Sequence, residues 1–142
     1  MAAPSAWTPT TATRGAITAG TIKTGDSWKM ALFTSSWSTS ITTYSATNEV
    51  SSTNTGYTTA GAAVALTQSG TTTETIVMTT APVWTAGTAN LTARFAVIYS
   101  TTDGSKTILC YCTLDSTPAD VTATNGNALT IGSNGGTIYT LS

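Results

Sequence analysis

Residues Leu91 to Leu114 read LTARFAVIYSTTDGSKTILCYCTL, and this stretch predicts two neighbouring antiparallel strands. Side chains alternate between the two faces of a strand, and here both faces carry apolar groups, which indicates a central strand. Asp103-Gly104 predicts a tight hairpin turn, because glycine accepts a positive φ. The first strand is predicted to place on one face Leu91, Ala93, Phe95, Val97 and Tyr99. The returning strand is predicted to place on one face Ile108, Cys110, Cys112 and Leu114.

The same alternation begins again upstream, at Ser27, and predicts another half-buried strand. Weaker alternating runs and turn residues recur along the rest of the chain at intervals typical of a sandwich or barrel. We therefore predict an all-β, antiparallel, jelly-roll-like β-sandwich of about seven or eight strands. Its predicted core includes Trp28, Met30, Leu32, Phe95, Val97, Cys110 and Cys112.

Two segments lack this regular alternation and are predicted to make contacts outside the chain. Residues 1–25 are predicted to form an extended arm before a domain of residues 26–142, with Trp7 and Ile17 as anchors on another subunit. A disordered terminus is the alternative for this arm. Residues 35–60 form a long, Ser- and Thr-rich connection, and loops of this length are often functional. Trp37 and Tyr44 are its predicted interface residues.

The chain carries unusually few charges, with five Lys and Arg, six Asp and Glu and no histidine among 142 residues. Thr and Ser take their place, and short hydroxyl side chains lose less entropy than Lys or Glu when they are ordered at an interface. The composition favours close packing against another protein, and a neutral β domain in no fixed assembly is the alternative. A net charge of -1 favours neither nucleic acid nor an acidic membrane. We also expect no signal peptide and synthesis in a cytoplasm.

Catalytic and metal-binding patterns are weak in this sequence. Acid–base catalysis relies mostly on histidine or tuned carboxylates, and the carboxylates here lie beside turn residues or on open strands. Asp115 and Asp120 invite comparison with a glycosidase pair, but ordinary turn chemistry explains them better. Cys110 and Cys112 are predicted to be buried free thiols, since a bridge between strand positions i and i+2 would be strained. We predict no enzyme, no cofactor and no metal site.

Three ordered segments carry a resemblance to a known family. The first is Lys29-Met30-Ala31-Leu32-Phe33-Thr34. The second is Thr47-Asn48-Glu49-Val50 with Gly56-Tyr57-Thr58-Thr59-Ala60-Gly61. The third is Trp84, the strand Leu91–Tyr99 and the apolar strand through Cys110 and Cys112. Over about residues 27 to 115, this order resembles a family of small virion proteins of tailed bacteriophages that are thought to coat or cement the head.

We predict a protein on the capsid surface, with the major capsid protein and further copies of itself, as a dimer or trimer, for partners. The resemblance implies a β-sandwich subunit and no cofactor. It implies no enzymatic activity. The chain departs from the family in its Thr-, Ala- and Gly-rich start and in a predicted extra hairpin within residues 121–142. A tail or fibre component is the alternative within phage biology. A carbohydrate-binding module, using Trp37 as its stacking platform, is the alternative of another class.

One ion pair is predicted among the residues of these segments. Arg94 lies on a strand that is expected to be largely covered, and a covered charge needs a partner. We predict that Glu49 is this partner and that the pair ties residues 35–60 to the sheet. The alternative is that the long stem of Arg94 carries its charge out to solvent.

Overall fold

A computed structural model describes residues 5–117, 119–132 and 136–141. In chain order the elements are β1 (Thr8–Pro9), α1 (Thr13–Thr18), β2 (Trp28–Phe33), β3 (Ala62–Ser69), β4 (Glu74–Thr80), β5 (Val83–Thr85), β6 (Leu91–Ala93), β7 (Phe95–Ser100), β8 (Ile108–Thr113), β9 (Val121–Ala123), β10 (Ala128–Thr130) and β11 (Gly136–Leu141). Strands make up 42% of the protein and helix 5%, which confirms the predicted all-β class.

Seven of these strands form one antiparallel sheet that curls nearly into a barrel, in the order β1-β8-β7-β2-β3-β4-β11. Two further pairs, β5 with β10 and β6 with β9, form small sheets of their own. The predicted hairpin between β7 and β8 is confirmed, with Val97 opposite Tyr111. The predicted final hairpin is wrong, because β10 pairs with β5 and β11 pairs with β4. Residues 133–135 of its turn lie outside the described residues.

The sheet buries apolar side chains on both of its sides. A main core collects one set of alternating positions, and it includes Trp28, Met30, Leu32, Cys110 and Cys112. A second cluster on the other side collects Ala31, Phe33, Trp37, Val97, Tyr99 and Ile108. Of the predicted core residues, Val97 belongs to this second cluster, and Phe95 packs against it half-buried. Strands buried on both sides read as nearly continuous apolar runs, which β2 and β7 do.

Two irregularities change which side chains share a face. Arg94 separates β6 from β7, so that Leu91 and Ala93 belong to the main core whereas Phe95 faces the second cluster. A register shift in the pairing of β7 with β8 likewise separates Ile108 from Cys110. An extra residue in a strand reverses the faces of everything after it, because the side-chain period is two. The predictions that each of these strands keeps one apolar face throughout are therefore wrong.

The described part of the predicted arm, residues 5–25, docks on its own chain, and we call it the N-terminal segment. β1 pairs with the outer edge of β8, with Pro9 opposite Cys110. Beyond β1, the buried Thr13 donates from its hydroxyl to the Leu109 carbonyl at 2.6 Å. The side chain of Ile22 is only 1% exposed and joins the main core. The N-terminal segment is thus part of the folded domain, and residues 1–4 lie outside the described residues.

Candidate interaction surface

Residues 34–61 form one ordered loop: Trp37 and Tyr44 pack at the second cluster, whereas Val50 and Tyr57 pack in the main core. Glu49 forms a β-bridge with Phe33, the last residue of β2, and the Val50 amide donates to the Leu32 carbonyl at 2.9 Å. A second bridge joins Thr43 to Thr107, just before β8. The sequence places few apolar residues in this loop, so its conformation depends on these backbone bonds and on a small number of anchoring side chains.

Trp37 is the main apolar anchor of the loop. Its ring centroid lies 5.5 Å from that of Phe33, 5.3 Å from Phe95 and 5.6 Å from Tyr111. These distances are typical of favourable aromatic pairs. Only 4% of the Trp37 surface is exposed. The prediction that Trp37 contacts a partner directly is therefore wrong, and its ring holds the loop on the sheet.

Glu49 is the polar anchor of the same loop. Its Oε1 accepts hydrogen bonds from the Tyr57 hydroxyl at 2.5 Å and from the Ala60 amide at 2.7 Å. Its Oε2 accepts from the Tyr44 hydroxyl at 2.8 Å. The Tyr57 hydroxyl in turn accepts from the Leu32 amide at 3.0 Å, which links the carboxylate to β2. Hydrogen bonds to an ionised acceptor are about twice as strong as neutral ones, so this carboxylate draws three parts of the loop together.

Burial and the negative charge of Glu49 keep the surrounding tyrosines protonated. Burial, followed by the hydrogen bond to Glu49, raises the pKa of Tyr57 and also that of Tyr44. Burial and the Glu49 charge raise the pKa of Tyr99 to about 12. Tyr44 stacks on Tyr99 with ring centroids 4.1 Å apart and lies half-buried, so this predicted interface residue holds the loop rather than standing free.

The end of the loop has a backbone conformation that dictates its residues. Ala60 and Gly61 have φ values of 72° and 75°, in the left-handed region. A Cβ at Gly61 would lie 1.9 Å from the Met30 carbonyl oxygen, so only glycine fits there. This turn aims the Ala60 amide at Glu49, which gives the Gly56-to-Gly61 segment a structural reason for its composition.

The outer side of the loop is neutral and polar. We call its exposed residues the loop face: Ser35, Ser36, Ser38, Thr39, Ser40, Thr43, Ser45, Ala46, Thr47, Asn48, Ser51, Ser52, Thr53, Asn54, Gly56, Thr58 and Thr59. Short local hydrogen bonds fix several of these side chains, including Ser38 to Ser40 at 2.8 Å and Ser45 to Thr47 at 3.1 Å. Such bonds let Ser and Thr order a loop locally. Several side chains of the loop face are thus held by local hydrogen bonds.

Arg94 has a different partner from the predicted one. Its Nε donates to Asp120 Oδ1 at 2.7 Å, and both side chains are partly exposed, at 28% and 43%. The predicted Glu49–Arg94 pair is therefore wrong. Arg94 lies at the extra position between β6 and β7. The Glu49 carboxylate already accepts hydrogen bonds from Tyr44, Tyr57 and the Ala60 amide. Partly exposed pairs of this kind contribute about 0–1 kcal/mol to stability.

The two predicted anchors of the N-terminal segment also face inward. Trp7 and Ile17 are partly buried and pack against the main core. They therefore stabilise the docking of the N-terminal segment on its own domain. Their irregular spacing in the sequence gave no indication of the surface that they would cover.

Carboxylates and thiols that were weighed for chemistry have structural surroundings. Asp115 accepts from both the amide and the hydroxyl of Thr117, as turn residues do. Burial raises the pKa of the Cys110 thiol, and it raises that of Cys112 to about 12. Neither cysteine is in a disulfide. Within the described residues, no group of three His, Cys, Asp or Glu is placed to hold a metal ion, and no helix has the length and apolar character needed to cross a membrane.

Sequence reasoning missed two residues that matter here. Tyr57 lies in a segment that was quoted only for the family resemblance, yet it connects Glu49 to β2. Asp120 was interpreted as an ordinary turn residue, yet it pairs with Arg94. No family model, curated protein or solved structure matches this chain.

Proposed function

We propose that the protein is a structural component of a tailed-bacteriophage virion, which binds the outer surface of the capsid in many copies and stabilises it by bridging major capsid subunits. The loop face is the contact surface in this proposal. The sequence resemblance over residues 27 to 115 supports the phage setting, and it rests on the same segments that build the loop and its anchors.

The observation that carries the proposal is a loop face that is both neutral and already ordered. Between Lys29 and Glu74, Glu49 is the only charged residue, and its carboxylate is turned to internal hydrogen bonds. A binding surface loses free energy when mobile side chains are ordered and when charges leave water. The loop face carries no charge and has several side chains held by local hydrogen bonds, so both costs are lowered. Contacts of moderate strength, repeated over a shell with many equivalent sites, are sufficient for such a coat.

The alternative of a carbohydrate-binding module is less well supported. Sugar stacking needs an exposed aromatic ring, but Trp28, Trp37 and Trp84 are each only 4% exposed. Trp7 is packed against the main core. Val83 is the one large hydrophobic residue that is exposed among the described residues, and it offers no ring. Three of the four tryptophans are therefore buried and Trp7 is half-buried, so no tryptophan among the described residues is fully exposed for stacking on a sugar.

Copy number in purified phage particles tests the proposal directly. Quantitative mass spectrometry against the major capsid protein is expected to find hundreds of copies per particle, located on the shell by electron cryomicroscopy. A handful of copies, located on the tail, would replace this proposal with a tail or fibre role. Absence of the chain from purified particles would reject a virion role altogether.

A further inference from the structure

The two edge strands of the seven-stranded sheet differ in how they are covered. β1 has two residues, and its Pro9 has no amide proton to donate to a further strand. Beyond β1, the Thr10 and Thr13 hydroxyls donate to the carbonyls of Ile108 and Leu109, so this side of β8 is occupied. β11 has six residues, and among the described residues β4 is the only strand that pairs with it. Its outer edge therefore presents backbone amides and carbonyls to which a further strand can bind.

The β11 edge lacks the residues that usually prevent such pairing. Natural edge strands are commonly blocked by charged side chains, especially Lys, or by proline. Gly136–Leu141 contains neither. Its exposed side chains include Thr137 and Thr140, which are short and uncharged. A bulge at Ile138 is the one irregularity in its pairing with β4. The composition of β11 therefore suits it to accept another extended strand.

The sheet face beside this edge determines which strand fits. Two rows of exposed or half-buried side chains cross β3, β4 and β11, and all are small and uncharged: Thr67, Val77 and Thr137 in one row, and Ser69, Thr75 and Thr140 in the other. A twofold axis brings the same surface of two copies together, so a charged row would repel its own copy. These rows carry no charge. The chain itself therefore supplies a matching partner strand.

We propose that β11 of one copy pairs antiparallel with β11 of a second copy across a twofold axis, so that the two sheets become one. One register uses all six residues, and it places Thr137 opposite Thr140 of the second copy. Exposed threonines then meet exposed threonines, whereas the buried Ile138 and Tyr139 lie opposite each other on the side of the main core. The bulge lies next to the axis in this register, where the two copies have the same irregularity.

Cross-strand threonine pairs already occur within this fold. The hydroxyls of Thr92 and Thr122 lie 2.9 Å apart across β6 and β9. Such pairs stabilise neighbouring strands. The proposed pairing occupies the β11 edge of both copies, so assembly stops at a dimer. This proposal concerns self-association alone and does not depend on the capsid role.

Sedimentation velocity of the full-length protein over a concentration series tests for the dimer. We expect a monomer–dimer equilibrium without larger species. Amide hydrogen exchange then locates the contact. The amides of β11 are expected to exchange more slowly as the dimer forms, whereas those of β10, a short strand of another sheet, are expected to keep their rates.

Charges placed on the edge test the register. Thr137→Lys with Thr140→Lys puts like charges opposite each other and is expected to weaken the dimer by about tenfold. Thr137→Lys with Thr140→Glu puts each Lys opposite a Glu and is expected to dimerise at least as well as the original protein. Thr67→Lys with Ser69→Lys adds charge to the same two rows on β3, two strands from the edge, and is the matched control that still dimerises.

Several results would overturn the proposal. A monomer at every concentration would remove the contact, and larger species would contradict a pairing that closes on itself. Equal weakening by the control on β3 would indicate packing through the sheet face or a general effect of charge. Unchanged exchange of the β11 amides in the dimer would place the contact elsewhere. Equal dimerisation of the double-Lys variant and the Lys and Glu variant would refute the pairing of Thr137 with Thr140.

Discussion

At the level of a single residue, Glu49 orders the loop through hydrogen bonds on the inner side of the loop face. Three donors reach its carboxylate, and they come from Tyr44, Tyr57 and the Ala60 amide. A carboxylate that is satisfied in this way is used to order the loop and is not offered to a partner. This explains how the loop carries one charged residue while its outer side remains neutral.

Coupling between Glu49 and Tyr57 is the first prediction at this scale. Glu49→Gln and Tyr57→Phe are each expected to lower the free energy of unfolding by about 1–3 kcal/mol, because each leaves hydrogen-bonding groups without partners. Together they are expected to cost less than the sum, since they remove one shared interaction. Urea unfolding of the two single variants and the double variant measures this coupling, with Ser52→Ala as an exposed control. Strictly additive effects would contradict the network.

The tyrosines also predict how stability changes with pH. Burial and Glu49 raise the folded-state pKa of Tyr99 from 10.0 to about 12, and the pKa values of Tyr44 and Tyr57 are raised as well. A group whose pKa is higher when folded contributes stability that is complete below its unfolded pKa and is lost above it. Stability is therefore expected to fall as pH rises from 10 through 12. Urea unfolding across this range, with phenolate absorbance recorded in parallel, provides the measurement. Ionisation of every tyrosine near pH 10 without unfolding would refute this account.

At the level of an element, the N-terminal segment is held by contacts within its own chain, as the loop of residues 34–61 is. The bulge in β8 leaves the carbonyls of Ile108 and Leu109 facing this segment, where the Thr10 and Thr13 hydroxyls donate to them. Ile22 then closes the main core. Removal of the segment would expose apolar surface and leave these carbonyls without their present partners. The N-terminal segment therefore contributes first to the stability of the domain, whatever part it has in binding.

Truncation of this element is expected to destabilise the domain. Deletion of residues 1–25 uncovers part of the main core, and Ile22→Ala alone is expected to cost about 2–5 kcal/mol, as for other fully buried aliphatic side chains. Ile17→Ala, at a partly buried position, is the matched control with a smaller expected loss. Thermal unfolding monitored by circular dichroism measures all three. A truncated protein with unchanged stability would restore the interpretation of this segment as a free arm.

Strand alternation in the sequence predicts β2 and the hairpin of β7 and β8, because their periodicity of two is strong and the Asp103-Gly104 turn is specific. The same alternation does not predict which side of the sheet each side chain occupies after Arg94 and Leu109. A single inserted residue reverses the apparent faces, and alternation alone does not reveal where a strand changes its neighbours. β6 pairs with β9 and β7 with β2, a change of partner that follows from tertiary packing.

The site residues were harder to predict than the strands for a related reason. Trp37 lies in a Ser- and Thr-rich loop, and local sequence does not indicate that its ring meets Phe33, Phe95 and Tyr111. The partner of Arg94 is 26 residues away along the chain, at Asp120. Such choices depend on which surfaces the closed sheet brings together. Composition nevertheless indicated the neutral character of the surface, because counting charged residues does not require knowing which strands pair.

The distribution of charge distinguishes the loop face from the rest of the molecule. Asp103, Asp115 and Glu49 accept hydrogen bonds from their own chain, and Asp120 is paired with Arg94. The exposed cations Arg14 and Lys23 lie outside residues 34–61 in the sequence, whereas Lys106 borders the loop, with its Nζ 5.4 Å from the Tyr44 ring centroid. The exposed residues of the loop itself therefore carry no charge. A surface of this kind suits close contact with another protein better than contact with nucleic acid.

Charge placed on the loop face tests this argument for the whole molecule. Thr39→Lys with Thr53→Lys adds two long, charged side chains at exposed positions, and ordering or desolvating them at an interface is unfavourable. We expect unchanged stability and shell binding that is weaker by about tenfold or more, which corresponds to about 1.4 kcal/mol. Cosedimentation with phage particles that lack the protein measures this binding. Thr130→Lys, at an exposed position on β10, is the control and is expected to bind normally. Equal loss of binding in the control would point to a general charge effect, whereas full binding by the double variant would remove the loop face from the interface.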